Sequence, residues 1–486
     1  MALLMAAAAA LLAAPAVQTV ADSAQLQLVG EAWDHTRELG DRDLRLNYPD
    51  DAAVAPTVGL PRQPAGYQVT LVERSSTPVI SAGNPPGHGN CPTRADGAPC
   101  QCFNPSYIPA SAHKLNQSGV LLRVCCGAKP CDYLCSRNDP KIPAASCVTL
   151  TEGAKDDEFI GFAPCDLKTG VCGDVLPRST FDLDPTQGTT QDPRAFLYEG
   201  SYYSFYWTAD HGSKPCDPTR PPNMCSVGLS KSDSPLTQGS WKVIGRMPWY
   251  RNACCIMKPR GQKSYCIWGF GMLGNEQYLP GLGISYTTDI DSGQFTQVPW
   301  KVAPGVLSPL GNNSMAFLPL GPDYHELGLE ASARPVPLSN GHWLHFYASH
   351  TCGFGWNPRP SAACGGPHGN YTGNYTVGWI VLNGSDPTQI LERWNEKTPW
   401  MNPVHDYETL CNADLSGKCK WKGATPWTLF LPSADPIPGE KDTFRVFWGA
   451  GDGNTGTGVV RVTVPQDKRE TVQESTQSSR GPPSEY

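Results

Sequence analysis

The chain has 486 residues, a net charge of −7 and only 17% charged residues, with 49 glycines and 47 prolines. Its mild negative charge, without any basic run, excludes nucleic acid as an expected partner. Glycine and proline at this density, with few long amphipathic patterns, favour β structure with many loops. The length allows several domains or one large all-β domain.

Residues 1–20 are rich in alanine and leucine and carry no charge. Ala14-Pro15-Ala16 offers small residues for cleavage, so we expect a signal peptide at 1–24 and an N-terminal extension at 25–65. An uncleaved anchor is the alternative, because no Lys or Arg stands at the front. No other segment has the length and hydrophobicity of a membrane span. A secreted protein, free of the membrane after cleavage, is therefore predicted.

The 19 cysteines concentrate between Cys91 and Cys266 and include the adjacent pairs Cys125-Cys126 and Cys254-Cys255. In an oxidising compartment we expect disulfides that staple long loops. A zinc site at Cys100/Cys102 or Cys131/Cys135 is the alternative, but it lacks repeated paired spacing with histidines. An odd total leaves at least one thiol free or bonded to another molecule.

Five sequons predict a glycoprotein: Asn116, Asn312, Asn370, Asn374 and Asn383. The last segment, 466–486, is polar and charged, and we expect it to be a disordered tail.

A two-strand unit recurs five times between residues 66 and 465. A turn leads into a strand of aromatic and β-branched residues, and a second strand containing glycine follows. The first strands are Gly119–Cys126, Ser201–Trp207, Ser264–Phe270, His342–Ser349 and Thr443–Ala450. The second strands are Phe159–Ala163, Cys225–Ser230, Gly281–Tyr286, Tyr375–Leu382 and Gly456–Val464.

This repeat predicts an all-β fold, a five-bladed β-propeller with disulfide-stapled loops. A two-sheet sandwich is the alternative, but it does not explain five copies of the same unit. The glycines suggest close approach of neighbouring backbones near a crowded axis. Ligands of propellers bind at the hub, so chemistry is expected where the repeated strands begin.

Asp192-Pro193-Arg194 precedes the aromatic strand 196–207. Pro193 fixes φ and removes a ladder donor just ahead of a strand. A carboxylate and a guanidinium at the mouth of a rigid strand can act on a ligand.

Several short motifs occur in a fixed order from about Ser76 to Val464. They are Cys102–Pro105 with Leu121–Val124, Gln191–Arg194, Arg251–Ala253 with Pro259, Tyr375–Leu382 with Asp386-Pro387, and Phe447–Asp452. In order and spacing they resemble motifs of the inverting mannoside phosphorylases and mannosidases of glycoside hydrolase family 130. The resemblance implies a five-bladed propeller acting on β-mannosides, and therefore an oligosaccharide or polysaccharide substrate.

The resemblance also implies roles for single residues. Asp192 is the expected general acid, and Asn104, Arg123, Arg194 and Asp452 are expected to hold sugar hydroxyls, with Arg251 and Asn252 as further substrate contacts. Four of these residues have a structural alternative. Arg123 can be a buried ion-pair partner, and Asn104 ahead of Pro105 can be only a turn residue. Arg194 can simply pair with Asp192, and Asp452 lies in a glycine-rich turn where Asp is favoured for its own backbone bonds.

Departures from the family pattern favour hydrolysis. Where the phosphorylases carry cationic groups for phosphate, this chain has Trp268–Gly271 and Tyr347–Ser349, although a shifted loop could restore one contact through His350.

Hydrolysis needs a carboxylate that activates water, and Glu330, Asp406 and Glu408 are the candidates. A solvated loop charge is the alternative for each. No metal or organic cofactor is implied.

The predicted function is thus a secreted inverting glycoside hydrolase, with phosphorolysis of β-mannosides as one alternative. Five-bladed glycosidases acting on arabinosides, xylosides or fructosides would need an Asp where Asn104 stands. A non-catalytic carbohydrate-binding propeller is the third alternative. Gln191 replaces a family Glu, and the cationic side chains that bind phosphate in the family phosphorylases are missing.

Overall fold

A computed structural model describes residues 66–84, 87–93, 97, 100–111, 115–126, 158–176, 182–184, 189–209, 226–248, 250–270, 272–273, 277–278, 281–298, 317–318, 328–350, 375–394, 398–413 and 428–465. All of these belong to one compact unit, Thr57–Tyr486. The expected signal peptide, N-terminal extension and tail lie outside the described residues. So do Asn312, Asn370, Asn374, Cys131 and Cys135.

Three strands precede the first blade: β1 (Gln68–Arg74), β2 (Ile80–Ser81) and β3 (Gly89–Asn90). Blade 1 contains β4 (Gln101–Ile108), β5 (Gly119–Cys125) and β6 (Glu158–Pro164). Blade 2 contains β7 (Thr189–Tyr198), β8 (Ser201–Ala209), β9 (Ser226–Ser232) and β10 (Lys242–Pro248).

Blade 3 contains β11 (Tyr250–Ile256), β12 (Ser264–Phe270), β15 (Leu282–Thr287) and β16 (Thr296–Gln297), with a separate hairpin of β13 (Met272–Leu273) and β14 (Gln277–Tyr278). A short 3-10 turn, Ile290–Ser292, lies between β15 and β16. Blade 4 contains β17 (Gly328–Ala331), β18 (Val336–Pro337), β19 (Trp343–His350), β20 (Tyr375–Leu382) and β21 (Ile390–Arg393).

Blade 5 contains β22 (Leu429–Pro436), β23 (Thr443–Ala450) and β24 (Asn454–Thr463), and helix α1 (Asp406–Ala413) precedes it. Strand β1 pairs antiparallel with β24, so the first described strand completes the last blade. This pairing joins the two ends of the described chain in one sheet.

Five apolar clusters lie at the five junctions between neighbouring blades. Leu121 packs in one cluster with Tyr202, Phe205 with Trp268, Ile256 with Leu329, Phe346 with Phe444, and Phe447 with Val120. Because the last cluster joins blade 5 back to blade 1, the sheets form a closed ring. The predicted five-bladed β-propeller is confirmed.

The predicted strand pairs correspond to the middle of each blade: β5–β6, β8–β9, β12–β15, β19–β20 and β23–β24. The sequence repeat omits the innermost strands β4, β7, β11, β17 and β22. The chemistry expected at the start of the repeated strands instead falls on these innermost strands, as described below.

Three glycines of the repeated second strands have a different cause from the one expected. Gly228, Gly378 and Gly456 lie opposite Tyr206, Tyr347 and Trp448 on the neighbouring strand. A Cβ at any of the three glycines would overlap the facing aromatic ring. These three glycines therefore make room for a large side chain, whereas Gly458 lies close to the backbone carbonyl of Glu73 on β1.

Four disulfides are present among the described residues: Cys91–Cys102, Cys100–Cys126, Cys165–Cys172 and Cys255–Cys266. The zinc alternative for Cys100 and Cys102 is therefore wrong, because each sulfur is bonded to another cysteine. Cys254 is a free, buried thiol, and burial raises its pKa to about 12. No described helix has the length and apolar character needed to span a bilayer.

Candidate active site

Three innermost strands carry a bulge at the same place, and the bulged residue is polar. Asn104, Asp192 and Asn252 have φ values of 52°, 50° and 56°. At each of them the register against the second strand shifts. Asn and Asp tolerate the left-handed region better than other non-glycine residues. Bulges re-aim side chains, which here turns polar groups of blades 1, 2 and 3 towards their neighbours.

The position of Pro193 differs from the expectation. It lies inside β7 rather than ahead of a strand, within the shift between Gln191 and Arg194. Pro105 lies at the corresponding shift between Phe103 and Ser106. A bulge tolerates a proline because the ladder is already interrupted there.

Asp192 sits in a buried polar cluster with blade 1. Asn104 Nδ2 donates a hydrogen bond to Asp192 Oδ1 at 2.6 Å. Arg123 Nη1 lies 3.7 Å from the same oxygen, and its guanidinium lies 5.0 Å from the centroid of the Phe103 ring. Asn104, Arg123 and Asp192 are 5%, 5% and 3% exposed. The structure therefore brings three of the predicted site residues together.

A second amide and carboxylate meet between blades 3 and 4. Asn252 Nδ2 donates to Glu330 Oε2 at 2.8 Å, and the Tyr375 hydroxyl donates to Glu330 Oε1 at 3.1 Å. Glu330, on β17, is only 1% exposed. The sequence reasoning did not identify Tyr375, the first residue of β20. Its signals in the sequence were its place as the first residue of the motif Tyr375–Leu382 and its hydroxyl at the start of a predicted second strand.

Arg194 connects the backbones that carry these two carboxylates. Its Nη1 donates to the carbonyls of Asp192 (3.0 Å) and Pro193 (2.8 Å), and its Nε donates to the carbonyl of Ser332 (3.1 Å). Arg194 follows Asp192 by two residues, and Ser332 follows Glu330 by two. Arg194 therefore links the innermost strand of blade 2 to the segment that follows β17 in blade 4.

These contacts favour a supporting role for Arg194. Its guanidinium lies 4.7 Å from the centroid of the Phe430 ring, on blade 5. The side chain thus ties blade 2 to blades 4 and 5 through backbone carbonyls and an aromatic face. A direct contact of Arg194 with a sugar stays a prediction.

The side-chain amide oxygens of the two bulge asparagines are buried and have unused hydrogen-bonding capacity. Asn104 Oδ1 and Asn252 Oδ1 accept no hydrogen bond from any described residue. A buried acceptor without a partner costs free energy until a donor arrives. Hydroxyl groups of a bound sugar are donors of the required kind.

Asp406 and Glu408, the other candidates for the base, lie on α1 rather than on an innermost strand. Glu408 is buried and forms an ion pair with Arg74 of β1 at 2.6 Å. It also accepts hydrogen bonds from the backbone N–H groups of Val404 (2.8 Å) and His405 (2.9 Å). Asp406 is exposed in the first turn of the helix. These contacts give Glu408 a structural task.

Asp452 occupies the β23–β24 turn, as its glycine-rich surroundings indicate. Gly451 and Asp452 have φ values of 59° and 47°, and Gly453 N donates to the Ala450 carbonyl at 3.2 Å. Cys102 N donates to the Gly453 carbonyl at 3.1 Å, which places this turn beside the start of β4 and hence near Asn104. Arg251 lies in β11 next to Asn252, and its side chain is outside the described residues.

A small cavity follows the bulge residues along the axis. Its lining includes Ser106, Arg194, Cys254, Arg334, Ser433 and Asp435, from all five blades. Burial raises the pKa of Asp435 to about 6, although the nearby Arg334 and the hydrogen bond from Ser433 both lower it.

Among the described residues, no group of three or more His, Cys, Asp or Glu is arranged to hold a metal ion.

No protein-family model matches the chain. No curated protein matches it either.

Several solved structures are similar to it at 14–15% sequence identity. One is described as belonging to the GH130 family of mannoside phosphorylases, which contains glycoside hydrolases that target β-1,2-mannosidic linkages in Candida mannan (14% identity, 80% of this chain and 92% of that chain, TM-score 0.49). Another is the β-1,2-mannobiose phosphorylase from Listeria innocua, with 15% identity over 84% of this chain and 99% of that chain and a TM-score of 0.48. A third is a glycosyl hydrolase from Bacteroides ovatus, with 14% identity over 80% of this chain and 92% of that chain and a TM-score of 0.49. At such identities the likeness concerns the fold.

Proposed function

We propose that this propeller is an inverting glycoside hydrolase, with Asp192 as general acid and Glu330 as general base. One observation carries the proposal. Buried carboxyl groups lie on the innermost strands of blades 2 and 4, and each accepts a hydrogen bond from an asparagine of the preceding blade. Two carboxyl groups facing one ligand are what glycosidic cleavage by water requires.

The contacts of the two carboxyl groups differ in which oxygens they occupy. The Asn104 amide and the Arg123 guanidinium both approach Asp192 Oδ1, so Oδ2 is the oxygen proposed to give a proton to the leaving oxygen. Glu330 accepts a hydrogen bond on each oxygen. Donors on both oxygens favour the ionised form, which a base needs.

In the proposed reaction, Glu330 takes a proton from water as the water oxygen attacks the anomeric carbon. The glycosidic bond breaks on the opposite face of the ring, and Asp192 gives its proton to the leaving oxygen. The amide oxygens of Asn104 and Asn252 accept hydrogen bonds from sugar hydroxyls. Inversion then converts a β-linked sugar into the α-anomer of the free sugar.

The choice of β-mannosides as substrate rests on the motif resemblance of the sequence. The choice of hydrolysis over phosphorolysis is supported by the residues at the positions where family phosphorylases carry cations. Trp268 Nε1 donates to Ser285 Oγ at 2.5 Å, and Tyr347 packs over Gly378. Both side chains are buried in blade packing and neither carries a positive charge.

The compartment and the domain boundaries belong to the same proposal. Disulfides persist in oxidising compartments, which favours export directed by residues 1–24. The catalytic propeller would then span residues 66–465. An exposed Asn116 is compatible with glycosylation at that sequon.

The test is incubation with β-mannobioses, with and without inorganic phosphate, while the released anomer is followed by NMR. We expect α-mannose as the first product and no dependence on phosphate. In Asp192→Asn, turnover should fall by about 10²- to 10⁴-fold while binding persists. Mannose 1-phosphate as product would overturn the hydrolase assignment. Sugar binding without turnover in the wild-type protein would overturn the enzyme assignment.

A further inference from the structure

We infer that Tyr375 is a positioning residue for Glu330, holding its carboxylate in the orientation and ionisation state that a general base needs. The inference rests on the proposed function, in which Glu330 takes a proton from water. It adds a tyrosine hydroxyl, on β20, to a proposed site whose other groups are carboxylates and amides on innermost strands.

The carboxylate of Glu330 is held from two directions. The Tyr375 hydroxyl, on the third strand of blade 4, donates to Oε1 at 3.1 Å. Asn252, on the innermost strand of blade 3, donates to Oε2 at 2.8 Å. Two donors on different oxygens remove the free rotation of the carboxylate about its last bond. A general base must keep such a fixed orientation towards the water that it activates.

The Tyr375 ring is itself anchored. It packs with Ala348 and Phe430 in a small buried cluster, and its ring meets that of Phe430 edge-on, with centroids 6.2 Å apart. Phe430 also carries the Arg194 guanidinium at 4.7 Å, and Arg194 donates to the Asp192 carbonyl. The supports of both carboxyl groups therefore converge on one phenylalanine, so that the Tyr375 hydroxyl has a defined place relative to Asp192.

The hydroxyl has a chemical effect as well as a geometric one. A hydrogen bond donated to a carboxylate stabilises the ionised form over the protonated one. Removing this hydrogen bond from a buried carboxylate makes protonation easier. As the pH falls, the Glu330 carboxylate should then be protonated, and stop acting as a base, at a higher pH than in the wild type. A purely structural tyrosine, which only fills space, would not have this effect when replaced by phenylalanine.

The test compares Tyr375→Phe with a matched control, Tyr202→Phe. Tyr202 is also buried in the propeller, but it pairs with Leu197 towards the other end of β7 from Asp192, and its hydroxyl donates to the Pro109 carbonyl at 2.9 Å rather than to a carboxyl group. In Tyr375→Phe we expect kcat to fall with little change in KM. The acidic limb of the kcat/KM profile should move up by about one pH unit, since a hydrogen bond to a charged group has about that effect. Tyr202→Phe should leave the limb in place.

A second measurement is independent of turnover. In protein labelled with ¹³C at the glutamate side-chain carboxyl, the Glu330 signal is identified by its loss in Glu330→Gln, and its titration midpoint is followed without substrate. We expect a higher midpoint in Tyr375→Phe than in the wild type. An unchanged midpoint overturns the inference, whether or not the protein is active. If the midpoint shifts but no β-mannoside is cleaved, the proposed function fails while the Tyr375–Glu330 relationship stands.

Discussion

Asn104 and Asp192 are 88 residues apart in the chain, yet they face each other from equivalent bulges of neighbouring blades, with Asn104 Nδ2 2.6 Å from Asp192 Oδ1. The amide engages one carboxyl oxygen and orients the other. An acidic side chain in place of Asn104 would therefore replace this hydrogen-bond donor by a second carboxyl group beside the proposed acid.

Asn104→Asp should move the basic limb of the kcat/KM profile to higher pH. The substitution keeps the size of the side chain and its tolerance of positive φ, but it replaces a donor by a second carboxyl group. Two carboxyl groups at this distance share a proton, so the basic limb of the kcat/KM profile should rise by about one unit or more. The profile on β-mannobiose measures it. A basic limb identical to that of the wild type would remove Asn104 from the surroundings of the acid.

Glu330 and Glu408 are both buried, and matched substitutions should separate catalysis from stability. Glu330→Gln preserves shape and should lower kcat by about 10²-fold or more. Glu408→Gln removes the charge partner of Arg74, and the unfolding free energy should fall by about 2–3 kcal/mol. Thermal melts and initial rates on folded protein measure the two effects. The assignment of the base is wrong if Glu408→Gln loses activity without losing stability.

Asp435 should make stability depend on pH in a direction unusual for a carboxyl group. Its folded pKa, about 6, lies above the ordinary value of 3.8. The contribution of the protonated group is therefore fully present below about pH 4 and is lost as pH rises through about 6. Asp435→Asn should stabilise the protein at pH 7 by about 2–3 kcal/mol relative to its effect at pH 4. Denaturant unfolding at the two pH values, with disulfides intact, measures this difference, and an equal effect at both would contradict it.

Gly378 should not tolerate alanine, because the Tyr347 ring occupies the space of the added methyl group. Overpacking of this kind costs about 1–3 kcal/mol of unfolding free energy. Tyr347→Leu shortens the facing side chain, so Gly378→Ala should cost less in that background. A double-mutant cycle on unfolding free energies measures the coupling. Additive effects would show that the glycine serves another purpose.

Much of the fold could be predicted because strands β5, β8, β12, β19 and β23 are rich in aromatic and β-branched residues and recur with the same partner. The innermost strands could not be predicted from the sequence. β4 and β7 contain a proline at a bulge, and the innermost edge of blade 4 is split into β17 and β18. Their patterns therefore lack the regular alternation by which a strand is recognised.

The amino-acid sequence by itself determined the all-β class, the number of blades and the prominence of Asp192, because local propensity and repetition are properties of short segments. Only the tertiary structure decided that Glu330, rather than Glu408, shares the hub with Asp192. It also decided that Tyr375 bonds to Glu330 and that Arg194 supports the backbone. These relationships join residues 45 to 138 positions apart, and they exist only once the ring has closed.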